Sequence, residues 1–146
     1  PEATREAILE GGWYRSGDLG HTCEDGRFVF LARMGDSLRL GGFLVSPQEI
    51  EECVQQAPGI LDCQVVGVTT GGALRPVAFV RLAPGAVLDE AAVTAHVAAR
   101  LARYKVPVRV FAVDAFPVTE GANGTKIQKT RLRDMAVALI SQETPR

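Results

Sequence analysis

The chain has 146 residues, 47% apolar and 23% charged, which is room for one globular domain with a fragment of another and excludes disordered, collagen-like and coiled-coil architectures. Its 16 basic and 17 acidic side chains leave a net charge of −1, so no basic excess asks for a nucleic-acid backbone as partner. The three cysteines, Cys23, Cys53 and Cys63, form no C-x-x-C pair, which excludes a disulfide framework and an ordinary zinc ribbon and points to free thiols in a reducing cytoplasm.

No apolar run reaches the length of a transmembrane helix. The N-terminus, Pro1-Glu2-Ala3-Thr4-Arg5-Glu6, has neither the charged region nor the apolar core of a signal peptide. With no initiator Met, the chain is expected to be a segment of a longer polypeptide. Residues 5–10 suit a short helical turn that Gly11-Gly12 stops. Arg27 to Leu31 follows the Asp25-Gly26 turn and reads as a strand. Two short apolar stretches around Gly41-Gly42, within residues 38–45, predict a tight hairpin.

Ser46-Pro47-Gln48-Glu49 is a helix start, with Ser at the N-cap, Pro at the first helical position and Glu three residues after the cap. Ile50, Cys53, Val54 and Ala57 follow at helical spacing, and Pro58-Gly59 ends the run. Cys63 to Val68 and Val77 to Leu82 are two apolar strands, linked through Thr69-Thr70-Gly71-Gly72. A second helix is predicted from Asp89 to Arg103, with Val93, Val97 and Leu101 on one stripe, and a third strand from Val108 to Val113. Residues 117–125, rich in Gly, Thr and Asn, read as loop. A last helix is predicted from Thr130 to Ile140, with Leu132, Met135, Ala136 and Leu139 as its apolar side. From residue 46 the order α-β-β-α-β-loop-α predicts an α+β domain, a small three-stranded sheet with helices packed on it. Residues 1–34 hold a glycine-rich turn and a β-hairpin with no helix to cover them. They are expected to be the end of a preceding N-terminal domain, and 35–146 a separate C-terminal domain.

The chemistry-bearing residues are few. Lys126 follows the small-residue stretch Gly121-Ala122-Asn123-Gly124-Thr125, which could carry a cationic tip into a site formed elsewhere. A compact ammonium suits a phosphate or a carboxylate that becomes negative during reaction. By residue type alone, a solvated surface lysine is the commoner explanation. The stretch is not a phosphate-binding P-loop, because its spacing differs and Ile127 follows the lysine. Lys126, Lys129, Arg131 and Arg133 could form an anion-binding edge or simply a solvated helix start, and no aromatic residue is interleaved as single-stranded nucleic acid would need. Asp18, in a glycine turn after Trp13-Tyr14, could accept hydrogen bonds from a ribose diol or serve as a turn residue. Arg33-Met34-Gly35-Asp36 could be a hinge or an ordinary interdomain turn. His21 and His96 have no second ligand at metal spacing, so no metal site is predicted. The cysteines read as small core residues, and no Ser-His-Asp set is visible.

Five segments fall in an order that resembles the C-terminal part of adenylate-forming acyl-CoA synthetases of the AMP-binding superfamily, which also includes luciferases and the adenylation domains of peptide synthetases. Gly12 to Gly20, GWYRSGDLG, resembles G-W-F/Y-x-T/S-G-D-L-G. Gly26-Arg27-Phe28 through Asp36 resembles the hairpin that leads to the interdomain hinge. Gly41 to Glu51, GGFLVSPQEIE, resembles the segment that opens the small domain. Leu101 to Pro107 resembles L-A-x-Y-K-x-P, and Phe116 to Arg133 resembles the P-x-T…G-K-I…L-R ending.

The resemblance implies a fatty-acid–CoA ligase type of chemistry. A carboxylate and Mg-ATP give an acyl-adenylate, the acyl group passes to the CoA thiol, and the small domain rotates between the half-reactions. Asp18 matches the carboxylate on the ribose of ATP, Arg33 the arginine before the hinge, and Lys126 the lysine that bridges carboxylate and α-phosphate. Gly35 and Asp36 match the hinge, and Gly41 and Gly42 the turn beside the pantetheine arm of CoA. Several positions depart from the pattern. Gly35 replaces the usual Asp or Lys, as in some long-chain and very-long-chain synthetases, and leans towards fatty acyl substrates. Leu44 stands where a polar or basic residue is common. Thr69-Thr70-Gly71-Gly72 lacks the usual Pro-Asp and Gly-Glu, and the lysine loop is lengthened by Thr125. The family's phosphate loop, its Y-G-x-T-E segment and its acyl pocket belong to a large N-terminal domain, which would bind most of the ATP and Mg. The isolated chain is therefore expected to be inactive.

Three readings stand at this point. They are the lid of an acyl-CoA synthetase, a free-standing module that binds CoA or a nucleotide without catalysis, and a small domain that binds RNA through glycine turns. Under the first, the partners are the N-terminal domain of the same polypeptide, a carboxylic acid, ATP and CoA, with no nucleic acid and no membrane span. Trp13, Tyr14, Phe28, Phe30 and Leu31 would then lose their cover. They are expected to be poorly ordered or held by a neighbouring chain, as in a strand-swapped dimer of the fragment.

Overall fold

The computed structural model of the chain describes residues 7–121 and 124–143. The chain divides into two compact units, Pro1–Ser37 and Leu38–Arg146.

The first unit is an antiparallel hairpin of β1 (Asp18–Thr22) and β2 (Phe28–Arg33), with Thr22 opposite Phe28 and Asp18 opposite Arg33. The Asp25-Gly26 turn forms as expected, closed by the Cys23 N–H on the Arg27 carbonyl and by the Arg27 N–H on Asp25 Oδ1. The helical turn expected over 5–10 lies partly outside the described residues. From Ile8 the backbone instead doubles back, bridging Tyr14, with the Leu9 N–H on the Trp13 carbonyl. None of the described residues of this unit is buried, and Trp13 and Tyr14 are each more than 70% exposed. Phe28 and Phe30 are also exposed. The side chain of Leu31 lies outside what is described.

The second unit runs β3 (Leu38–Leu40), β4 (Phe43–Val45), α1 (Pro47–Gln55), β5 (Ile60–Thr70), β6 (Ala73–Leu82), α2 (Glu90–Ala98), a 3-10 turn over Arg103–Lys105, β7 (Arg109–Ala112), β8 (Val118–Gly121), β9 (Gly124–Ile127) and α3 (Lys129–Glu143). Its central sheet has the order β5-β6-β7, with β6 antiparallel to β5 and parallel to β7. This is the expected three-stranded α+β domain. Both faces of the sheet are covered. Because side chains alternate along a strand, Val65, Ala78 and Val80 enter one core with Ile50, Val54, Val93 and Val97 of α1 and α2. Val66, Val77 and Phe79 enter the other with Phe116 and with Leu132 and Ala136 of α3. Strands buried on both faces read as the near-continuous apolar runs seen here. The β5–β6 hairpin is longer than its apolar stretches because Gly71 and Gly72, at φ +58° and +77°, close a two-residue turn that twists with the strands.

Three expectations are corrected in this unit. Ser46 does hold the N-cap position of α1, but its hydroxyl makes no cap bond, and the Glu49 carboxylate is engaged by Lys105 instead. Helix α2, capped by Asp89 Oδ1 on the Ala92 N–H, ends at Ala98 rather than Arg103. Pro107 holds Val106 in extended backbone, and a 3-10 turn over Arg103–Lys105 precedes it. Residues 118–121 and 124–125, expected as loop, pair instead as strands β8 and β9, with Thr119 opposite Lys126 and Glu120 opposite Thr125. Ala122 and Asn123 lie outside the described residues. No described helix is long and apolar enough to cross a membrane.

Candidate functional site

In the first unit, strand register brings Asp18 and Arg33 together. They are Cα partners across β1 and β2, and Arg33 Nε lies 3.3 Å from Asp18 Oδ1. The Asp18 N–H donates to Ser16 Oγ at 3.1 Å, which fixes the backbone at the mouth of the strand. The Arg33 side chain is 65% exposed, and an exposed ion pair contributes only about 0–1 kcal/mol. Fold stability therefore does not explain the pair, whereas a carboxylate beside a guanidinium can hold a ribose diol next to a phosphate. The carbonyl of Arg33 accepts the N–H groups of Asp36 and Ser37 and the Ser37 hydroxyl, all at 3.0–3.1 Å. This makes a tight turn of the Met34-Gly35-Asp36 segment. A Cβ on Gly35 would meet nothing within 4 Å, and its φ is not positive. The static turn thus makes no demand for glycine there.

In the second unit, Gly41 and Gly42 form the β3–β4 turn at φ +56° and +88°. A Cβ on Gly41 would stand 3.2 Å from Tyr104 Cβ, so close approach as well as backbone sign requires glycine. Tyr104 stacks on Phe43 with ring centroids 4.9 Å apart, and Lys105 Nζ donates to both Glu49 oxygens at 2.6 and 2.8 Å. Two segments distant in sequence, Gly41 to Glu49 and Tyr104-Lys105, meet here. The sequence singled out each of them but did not pair them, because neither contact leaves a local signal.

Lys126 stands on β9, exposed, and pairs with no acidic side chain among the described residues. Lys129 differs from expectation. It is not a solvated helix-start lysine: its Nζ donates to Glu51 Oε1 at 2.6 Å and to the Val65 carbonyl at 3.3 Å. Glu51 Oε1 also accepts the Val65 N–H at 2.8 Å, and its side chain is only 14% exposed. The basic cluster is therefore split, with Arg131 and Arg133 exposed and Lys129 turned into the fold.

Cys53 and Cys63 are buried, and burial pushes both thiols up, Cys63 most, so neither is a nucleophile at neutral pH. His21 lies in β1 opposite Val29, and His96 Nε2 is buried with no hydrogen-bond partner among the described residues. Among the described residues no three His, Cys, Asp or Glu converge as a metal site would need. At the β7 edge, burial pushes the Glu90 carboxyl up, but hydrogen bonds from Arg109 and the Val110 N–H, with the Arg109 charge, bring it below its ordinary value.

The small mixed sheet with helices on both faces is shared with solved adenylate-forming enzymes. Residues 49–122, half of the chain, match the AMP-binding enzyme C-terminal domain, and the chain belongs to that family. It is 45% identical over 119 residues to 2-succinylbenzoate–CoA ligase of Geobacillus kaustophilus, which is 80% of this chain and 24% of that protein. It is 34% identical over 141 residues to long-chain-fatty-acid–CoA ligase FadD13 of Mycobacterium tuberculosis, 96% of this chain and 27% of that one. The crystal structure of ATP-bound MatB from Rhodopseudomonas palustris superposes with a TM-score of 0.81 at 34% identity, over 95% of this chain and 27% of MatB. The chain thus spans about a quarter of the length of the relatives it matches.

Proposed function

We propose that this chain is the mobile C-terminal part of an ATP-dependent acid–thiol ligase of the acyl-CoA synthetase type. Residues 1–34 form the end of its large domain and 35–146 its lid. In the first half-reaction a carboxylate oxygen attacks the α-phosphorus of ATP and pyrophosphate leaves. In the second, the CoA sulfur attacks the acyl carbonyl and AMP leaves. Asp18 holds the ribose hydroxyls and Arg33 the phosphate side of the nucleotide. Lys126 supplies positive charge where the carboxylate and α-phosphate meet, which is positioning and charge stabilisation rather than nucleophilic attack. Gly35 and Asp36 carry the rotation between half-reactions, and Gly41 and Gly42 let the pantetheine arm pass close to backbone. The acyl substrate is a fatty acid on this reading, for which Gly35 is the support. The reaction is placed in the cytoplasm, in keeping with the reduced cysteines.

The observation that carries the proposal is the ammonium of Lys126, exposed on a two-stranded arm and paired with no described residue. In the full-length protein, Lys126→Ala should slow acyl-adenylate formation by roughly two to three powers of ten, the range for removing one preorganised charge, and should barely change thioester formation from supplied acyl-adenylate. Equal losses in both half-reactions would overturn the assignment. The purified 146-residue chain should show no ATP–pyrophosphate exchange with any fatty acid, and measurable exchange would overturn the division of labour between domains.

A further inference from the structure

We propose that Gln128 and Lys129 are positioning residues for Lys126, holding the β8–β9 arm in the direction that adenylation needs. The inference rests on the reading of Lys126 given above. The arm has little packing of its own. Every described residue of β8 is exposed, and in β9 only Ile127 is partly buried, against the second core. A two-stranded hairpin without a buried face is marginally stable in water, so the direction of the arm must be set at its root.

The root is tied at two points. At the first, the Gln128 N–H donates to the Pro117 carbonyl at 2.8 Å, and the Gln128 amide reaches the Val118 carbonyl at 3.1 Å and Thr119 Oγ1 at 2.6 Å. Thr119 is the residue directly across the ladder from Lys126. At the second, Lys129 is tied to Glu51 of α1 and to the Val65 carbonyl of β5, both parts of the rigid core.

As a source of stability this arrangement is poor. A part-buried ion pair must overcome the desolvation of both charges, and an apolar residue of similar length often serves as well or better. As a geometric device it is effective. It fixes the chain at residues 128 and 129, leaving only Ile127 between the anchor and Lys126.

The test uses the full-length protein and assays the two half-reactions separately, with the thermal unfolding midpoint as a check on folding. Lys129→Met and Gln128→Ala should each slow adenylation roughly ten- to a hundredfold, as small misplacements do, and leave thioester formation from supplied acyl-adenylate nearly unchanged. Lys129→Arg, which keeps the pair with Glu51, should restore adenylation. The double variant Lys126→Ala/Lys129→Met should be no slower in adenylation than Lys126→Ala alone, since an anchor has no effect once its lysine is gone. Should Lys129→Met not fold, Gln128→Ala, at a half-exposed position, decides the matter. Equal slowing of both half-reactions, additive losses in the double variant, or full activity of both Lys129→Met and Gln128→Ala beside a slow Lys126→Ala would each overturn the positioning role and leave the Lys126 reading intact. An unimpaired Lys126→Ala would remove both.

Discussion

Two antiparallel hairpins in this chain, β1–β2 and β5–β6, contain similar residues and meet different ends. Phe28-Val29-Phe30 in β2 and Val77-Ala78-Phe79-Val80 in β6 are equally good strand formers. In β6 each successive side chain enters a core, on alternating faces, because α1 and α2 lie on one side and α3 on the other. In β2 the two phenylalanines share a face and remain more than half exposed. Strand propensity is thus satisfied in both hairpins, and only cover distinguishes them.

The contrast can be sharpened by substitution, beginning with its strongest point. Phe79→Ala should cost about 3–5 kcal/mol, the range for emptying a fully buried aromatic site, read from denaturant unfolding of this chain. A loss below about 1 kcal/mol would mean that the two hairpins are less different than their burial implies. A smaller effect is expected at the sheet edge, where Glu90 pairs with Arg109 at 2.8 Å with both side chains about one-third exposed. Its folded carboxyl titrates below its unfolded value, so its stabilisation is present above the unfolded pKa and is lost as pH falls through the lower folded value. Glu90→Gln should therefore lower stability at pH 7 by less than about 1 kcal/mol. The difference from the parent chain should shrink as pH falls below about 4. The smallest effect belongs to the uncovered hairpin: Phe30→Ala should change the stability of this chain by no more than about 0.5 kcal/mol, measured in the same titration. A large loss there would show that the face already has a cover, such as a second copy of the chain.

What could be read from residue order was what local physics controls. The β5, β6 and β7 strands, the capped start of α2 at Asp89 and the glycine turns all announce themselves within a few residues. β1 did not, because Asp18-Leu19-Gly20-His21-Thr22 has neither alternation nor a β-branched run and is a strand only because β2 pairs with it. The β8–β9 hairpin escaped for the same reason, since an exposed arm built on glycine and threonine carries no apolar period. Motif order singled out Asp18, Arg33 and Lys126, and the first two stand opposite each other across β1 and β2. The solvated role expected for Lys129 failed because its partners, Glu51 and Val65, are 78 and 64 residues away.

The mixed pairing of the central sheet has a consequence for the order in which the domain can assemble. β5 and β6 can close through their two-residue turn as soon as both have been synthesised, but β7 joins β6 only after the crossover containing α2. At about 5–20 residues per second of translation, the far edge of β6 waits on the order of seconds for Val77 to Val80 to receive their partners. An apolar, unpaired edge is a template for other nascent chains. Polypeptides arrested before Arg109 should accordingly sediment as aggregates, while those released after α3 should stay dispersed. The interval between those two lengths is when the chain most needs a chaperone.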